Sequence, residues 1–148
     1  MLVNGMTMMA TIGQIEYVEG VWAGLDSFPY TVADGMEILS EMLGKNDYSD
    51  HRCIVALDGD TMAGIIIFME APRQCVVETL SVGYDYRGNG IGTRLMEYVM
   101  SDNDYVTLSS LDESVDFYKK LGFSVVEQFE GCCSMKNENC IRHLIGKQ

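Results

Sequence analysis

Positive charge is scarce in this chain: 10 Lys and Arg stand against 22 Asp and Glu, a formal net charge of −12 over 148 residues. A nucleic-acid partner needs a basic footprint to neutralise its phosphates, so the balance argues against one. It suits a cationic partner, such as an amine or basic peptide, as well as it suits general solubility. Long apolar runs are missing too. The longest, around Ile65 to Met69, is strand-sized, so no membrane partner is expected. The opening "MLVNGMTMMATIG" lacks the basic flank and unbroken apolar stretch of a secretory signal, and a cytoplasmic protein is expected. Disulfide and zinc frameworks are also poorly provided for. The 5 cysteines are odd in number, Cys132 and Cys133 are adjacent, and no C-x-x-C pair exists. His51 and His143 lie far from any second ligand at zinc-site spacing. No metal is expected, and the thiols read as buried small hydrophobes.

With 47% apolar and 22% charged residues, the composition is that of one globular domain. Residues 7–18, "TMMATIGQIEYV", read as a first strand. A connection with Trp22, Phe28, Pro29 and Tyr30 follows. Val32, Met36, Leu39 and Leu43 then predict a helix over 31–43, ended by Gly44. "RCIVALDGDTMAGIIIFMEA" predicts a hairpin turning at Asp58-Gly59, and residues 74–83 another strand. The next helix carries Ile91, Leu95, Met96, Val99 and Met100 on its buried face. After the strand "YVTLSS", Ser110-x-x-Glu113 reads as a capping box for a helix with Val115, Tyr118 and Leu121 on one face and Gly122 at its end. "FSVVEQFEG" and "NCIRHLIGK" read as closing strands. This order predicts an α/β (α+β) domain with a mixed, largely antiparallel sheet flanked by helices.

The stretch "YDYRGNGIGTRLMEYV" places Arg87 and three alternate glycines against a helix start. A Walker loop fails, because Gly92 is followed by Thr93 and Arg94 rather than Lys and a hydroxyl residue. A dinucleotide fingerprint needs G-x-G-x-x-G, and Gly88, Gly90 and Gly92 are spaced G-x-G-x-G. Asp112 stands where such a site places its ribose-binding acid, but too little chain follows for a second nucleotide-binding half. Arg-x-x-Gly-x-Gly fits better. Unpaired amides at a helix start can cradle an anion where no side chain blocks the approach, and Arg87 adds positive charge. The alternative is a tight strand-to-helix turn that holds nothing.

Together, "TLSVGYDYRGNGIGTRLMEYV" and "VTLSSLDESVDFYKKLGFSVVE" resemble the GNAT superfamily of N-acetyltransferases, densely over residues 76–127. The hairpin "VALDGDTMAGIIIF" is similar to that family's second and third strands. The resemblance implies the acyl-CoA N-acyltransferase fold, a twisted sheet with flanking helices, and acetyl-CoA as cosubstrate. It implies that Leu80, Ser81 and Val82 meet the pantetheine arm and supply an oxyanion donor, since charge gathers on the carbonyl oxygen during attack. It places the pyrophosphate on Arg87, Gly88, Asn89, Gly90, Ile91, Gly92 and Thr93. Tyr118 falls on the family's tyrosine, proposed to protonate the departing thiolate at modest cost; the alternative is a core aromatic. Phe117 would pack along the pantetheine. Glu78 matches a carboxylate position on the fourth strand and could take the amine proton, or could be a strand glutamate paired across the sheet. Two departures stand out. Leu111 replaces an Asn frequent in the family, leaving its contacts to Ser110 or Asp112, and the connection "SDNDY" is short.

The acceptor is less legible. Trp22, Phe28 and Tyr30 with Asp26 and Asp34 could wall a pocket for a cationic amine or form an aromatic mini-core. Few basic residues are available for a phosphorylated acceptor. The resemblance implies acetyl transfer to a primary amine of a small molecule or protein, and allows a homodimer through the C-terminal strands. A non-catalytic acyl-CoA-binding module is the alternative.

Overall fold

The computed structural model describes residues 6–12, 15–21, 52–59, 61–71 and 74–140. These form two compact units, Met1–Phe68 with Thr79–Leu95, and Met69–Glu78 with Met96–Gln148. The expected helix over 31–43, the aromatic connection before it, and the two histidines lie outside the described residues.

The first unit contains β1 (Met6–Ile12), β2 (Ile15–Val21), β3 (Arg52–Asp58), most of β4 (Thr61–Ala71) and the end of β5 (Gln74–Val82). The expected single strand over 7–18 is two. β1 and β2 pair antiparallel, with Ile12 opposite Ile15. A β-rich run longer than a typical strand folds on itself to pair its own halves. The expected β3–β4 hairpin is present, with Asp58 opposite Thr61. Cys53 through Leu57 and Met62 through Phe68 are buried without alternation. That is how a strand covered on both faces reads, and it explains the continuous apolar runs.

The second unit holds the start of β5, β6 (Val106–Leu111), β7 (Ser124–Gln128) and β8 (Cys132–Asn137). β5 and β6 are parallel, whereas β6–β8 and β7–β8 are antiparallel. The sheet is therefore mixed and largely antiparallel, as expected. β8 was not expected from the sequence, and the expected strand over 139–147 lies, beyond Cys140, outside the described residues. "CCSMKN" has little β-propensity and is held by ladders on both sides, whereas Cys140 is helical.

Helix α1 (Ile91–Asp102) buries all five residues assigned to its inner face. Helix α2 (Val115–Lys120) is shorter than expected, and the capping box does not form. Ser110 Oγ instead donates to the Leu111 carbonyl at 2.8 Å, and a 3-10 turn, Asp112–Ser114, precedes the helix. Its end is as expected. Gly122 N–H bonds the Lys119 carbonyl and Phe123 N–H the Tyr118 carbonyl, with Gly122 at φ +92°. This is a Schellman close, and the Phe123 ring packs edge-on to Tyr118 at 5.9 Å as its hydrophobic partner.

Candidate active site

The glycine turn belongs to the first unit. Gly83 N–H still reaches the Ala63 carbonyl of β4 at 2.8 Å, and a 3-10 turn, Tyr84–Tyr86, follows. The Tyr86 hydroxyl donates to Asp58 Oδ2 at 2.7 Å, tying this turn to the end of β3. That bond, with some desolvation and the negative charge of Asp58 and Asp85, raises the Tyr86 pKa above its ordinary value. Arg87 Nε donates to the Val82 carbonyl at 3.3 Å, and its guanidinium lies 5.6 Å from the Tyr84 ring centroid.

Gly88 and Gly90 take φ of +82° and +79°, a region where an L side chain is strained. A Cβ on either would meet nothing within 4 Å, so their outer side is open. Asn89 Nδ2 folds back to the Tyr86 carbonyl at 3.1 Å. Arg94 N–H donates to the Gly90 carbonyl at 3.0 Å. The amides of Ile91, Gly92 and Thr93 thus precede the helical ladder, where the macrodipole favours an anion. Behind the turn is a residue that sequence reasoning missed. A Cβ on Gly64 of β4 would lie 3.0 Å from Ile91 Cγ2 and 3.2 Å from the Ser81 carbonyl oxygen. A lone glycine inside a strand pattern is the signal that could have marked this close approach.

On β5, burial alternates. Cys75, Val77, Thr79 and Ser81 face inward, whereas Glu78 shares the opposite face with Val76, Leu80 and Val82. The β5–β6 ladder runs through Cys75↔Val106, Val76↔Thr107 and Val77↔Leu108. It stops there although β6 continues to Leu111, so Leu80, Ser81 and Val82 lie beyond the registered pairing.

Within the second unit, a cleft of about 250 Å³ sits where the pairing ends. Val76, Val77, Glu78, Thr107, Leu108, Ser109 and Ser134 line it. Apolar walls with one carboxylate and several hydroxyls can take the polar end of an otherwise apolar group. Tyr118 is 7% exposed, with its ring between Phe117 and Phe123, at 5.0 and 5.9 Å. Burial pushes its pKa to about 12, well above the thiolate-like basicity assumed for it. It holds its proton through the neutral range.

The residues offered as substitutes for the missing Asn are engaged elsewhere. Asp112 Oδ1 accepts from Gln128 Nε2 at 3.1 Å, and its backbone amide bonds the Gly131 carbonyl, a role in closing the β7–β8 end. Ser110 is buried and bonded to its neighbour's carbonyl. The aromatic and acidic acceptor residues Trp22, Asp26, Phe28, Tyr30 and Asp34 lie outside the described residues. Among the described residues, no group of three His, Cys, Asp or Glu could hold a metal, and no helix is long and apolar enough to cross a membrane.

A family model described as an acetyltransferase (GNAT) domain matches residues 49–125. No curated protein sequence matches. Many solved structures share the fold. Nourseothricin acetyltransferase aligns at TM-score 0.54 and 22% identity, over 64% of this chain and 68% of that one. PaiA N-acetyltransferase from Thermoplasma acidophilum, in complex with coenzyme A, aligns at 0.54 and 20%, over 68% and 69%. Tetrahymena GCN5 aligns at 0.55 and 20%, over 69% and 74%.

Proposed function

Because this chain belongs to the GNAT acetyltransferase family, and so is an acyltransferase, we propose that it moves an acetyl group from acetyl-CoA to a primary amine by direct attack in a ternary complex. One observation carries the reading: Gly88 and Gly90 hold left-handed backbone with open space outside, beside the leading amides of α1. A diphosphate needs that combination, since amides bind it only where no side chain intervenes. The coenzyme A complex of the fold neighbour PaiA N-acetyltransferase supports the same assignment.

Acetyl-CoA would supply an activated acyl group, whose C–S bond breaks as the amine nitrogen forms the new C–N bond. Arg87 and residues 88–93 would hold the diphosphate, with Phe117 and Leu80 through Val82 along the pantetheine arm. A backbone N–H of residues 80–82 would donate to the carbonyl oxygen as charge gathers there. Glu78, on the cleft, would take the proton that the amine loses, directly or through water.

Tyr118 is better suited to stabilising the departing sulfur by a donated hydrogen bond than to full proton transfer. With its pKa near 12, complete transfer to an ordinary thiolate would be uphill by about 4–5 kcal/mol. The acceptor is read as a cationic amine, consistent with the acidic chain and the carboxylate in the cleft.

The test is thiol release from acetyl-CoA against polyamines, amino acids, aminoglycosides, amino sugars and basic peptides. Release with at least one cationic class, and an acetylated product by mass, is expected. Acetyl-CoA binding without thiol release across the panel would overturn the amine-acceptor reading.

A further inference from the structure

Arg87 is the only cation within residues 80–93, and contacts from neighbouring residues hold its side chain. Nε donates to the Val82 carbonyl at 3.3 Å, which folds the chain back over the end of β5. The guanidinium carbon then lies over the Tyr84 ring, 5.6 Å from its centroid. Tyr84 itself is 84% exposed, the most exposed of the large apolar side chains described. Its backbone is fixed by the 3-10 turn, because its carbonyl accepts from Arg87 N–H at 3.4 Å and the turn is anchored through Tyr86 to Asp58. Tyr84 thus adds nothing to the core, and its ring has a defined place beside the arginine.

An exposed arginine samples many rotamers, and binding an anion costs the entropy of choosing one. A ring face and a carbonyl that hold it beforehand reduce that cost. We propose that Tyr84 is a positioning residue for coenzyme A binding, holding Arg87 through its ring face so that the guanidinium is pre-set toward a diphosphate. This rests on the cofactor assignment above and extends it to a residue which the glycine motif does not include.

The experiment measures coenzyme A affinity by calorimetry, and inorganic pyrophosphate as its competitor, for wild type, Tyr84→Ala, Tyr84→Phe, Arg87→Gln and the Tyr84→Ala/Arg87→Gln double variant. Thermal melts should coincide for wild type and Tyr84→Ala, since an 84% exposed ring contributes little packing. Tyr84→Ala should weaken coenzyme A by about two- to fivefold, the range for an exposed cation–π contact. Tyr84→Phe, which keeps the ring face, should bind as wild type. Pyrophosphate should weaken by the same factor as coenzyme A. In the Arg87→Gln background, Tyr84→Ala should cost nothing further.

Unchanged affinity in Tyr84→Ala, beside a clear loss in Arg87→Gln, overturns the Tyr84 role alone. So does a loss that persists in the Arg87→Gln background, or one confined to coenzyme A, which would put the ring against the nucleotide itself. Wild-type affinity in Arg87→Gln would remove the diphosphate assignment, and the Tyr84 role with it.

Discussion

Tyr118 shows how packing sets the chemistry available to one residue. Its ring is held edge-on by Phe117 and Phe123, and burial, not a charged neighbour, raises its pKa to about 12. Removing only the hydroxyl should leave that packing intact. Tyr118→Phe is expected to lower turnover about 10- to 100-fold while coenzyme A affinity stays within twofold, toward the low end for a positioned donor. Steady-state rates beside calorimetric binding check this, and wild-type turnover in the variant would take Tyr118 out of the reaction. The wild-type rate should also show no loss attributable to Tyr118 below about pH 11, because the phenol keeps its proton there.

Two glycines act at the scale of whole elements, for different reasons. Gly90 ends the turn at φ +79°, and a Cβ there has no protein atom within 4 Å, so Gly90→Val puts a branched side chain into the open space where the diphosphate would lie. Backbone strain of about 1–2 kcal/mol and a more than tenfold loss of coenzyme A affinity are expected, by denaturant titration and calorimetry. An unaltered affinity would dissociate the turn from the cofactor. Gly64 is the converse case. Its Cβ would press on Ile91 and on the Ser81 carbonyl, from 3.0 and 3.2 Å. Gly64→Ala should destabilise by about 1–3 kcal/mol, as overpacking does, and should also weaken coenzyme A by shifting the start of α1. Loss of stability with full affinity would show that the turn adjusts independently of β4.

For the molecule as a whole, the clearest electrostatic expectation lies on the alkaline side. Burial raises Cys53 to about 12, Cys140 to about 12 and Tyr118 to about 12, from ordinary values of 9.0, 9.0 and 10.0. Asp104 adds to the effect at Cys140. Each group is neutral when protonated, so its raised pKa means that the fold binds the proton more tightly than the unfolded chain does. That stabilisation is complete below about pH 9 and is lost as the pH rises toward 12. Urea midpoints should hold level from pH 7 to 9 and fall steadily above it, with a shallower fall in Cys53→Ala. A midpoint constant to pH 11 would contradict the burial of these groups.

Wherever local chemistry decided the outcome, the sequence was enough. The Asp58-Gly59 hairpin, the inner face of α1, the Gly122 helix end and the glycine turn itself follow from turn residues, apolar period and missing side chains. The second strand within residues 7–18 could have been read from the length of the run. Tertiary structure decided the rest. β8 forms from "CCSMKN" because partners on both sides supply its hydrogen bonds, which no intrinsic preference of those residues foretells. Ser110 forms no capping box because it lies within strand β6 rather than at a helix start, and Asp112 was drawn to Gln128, remote in sequence. The end of the β5–β6 pairing, the space denied to Gly64 and the weakened acidity of Tyr118 depend on what other segments bring alongside. Backbone preference and apolar period act within a few residues and can be read along the chain, whereas pairing, close approach and desolvation exist only once distant residues meet.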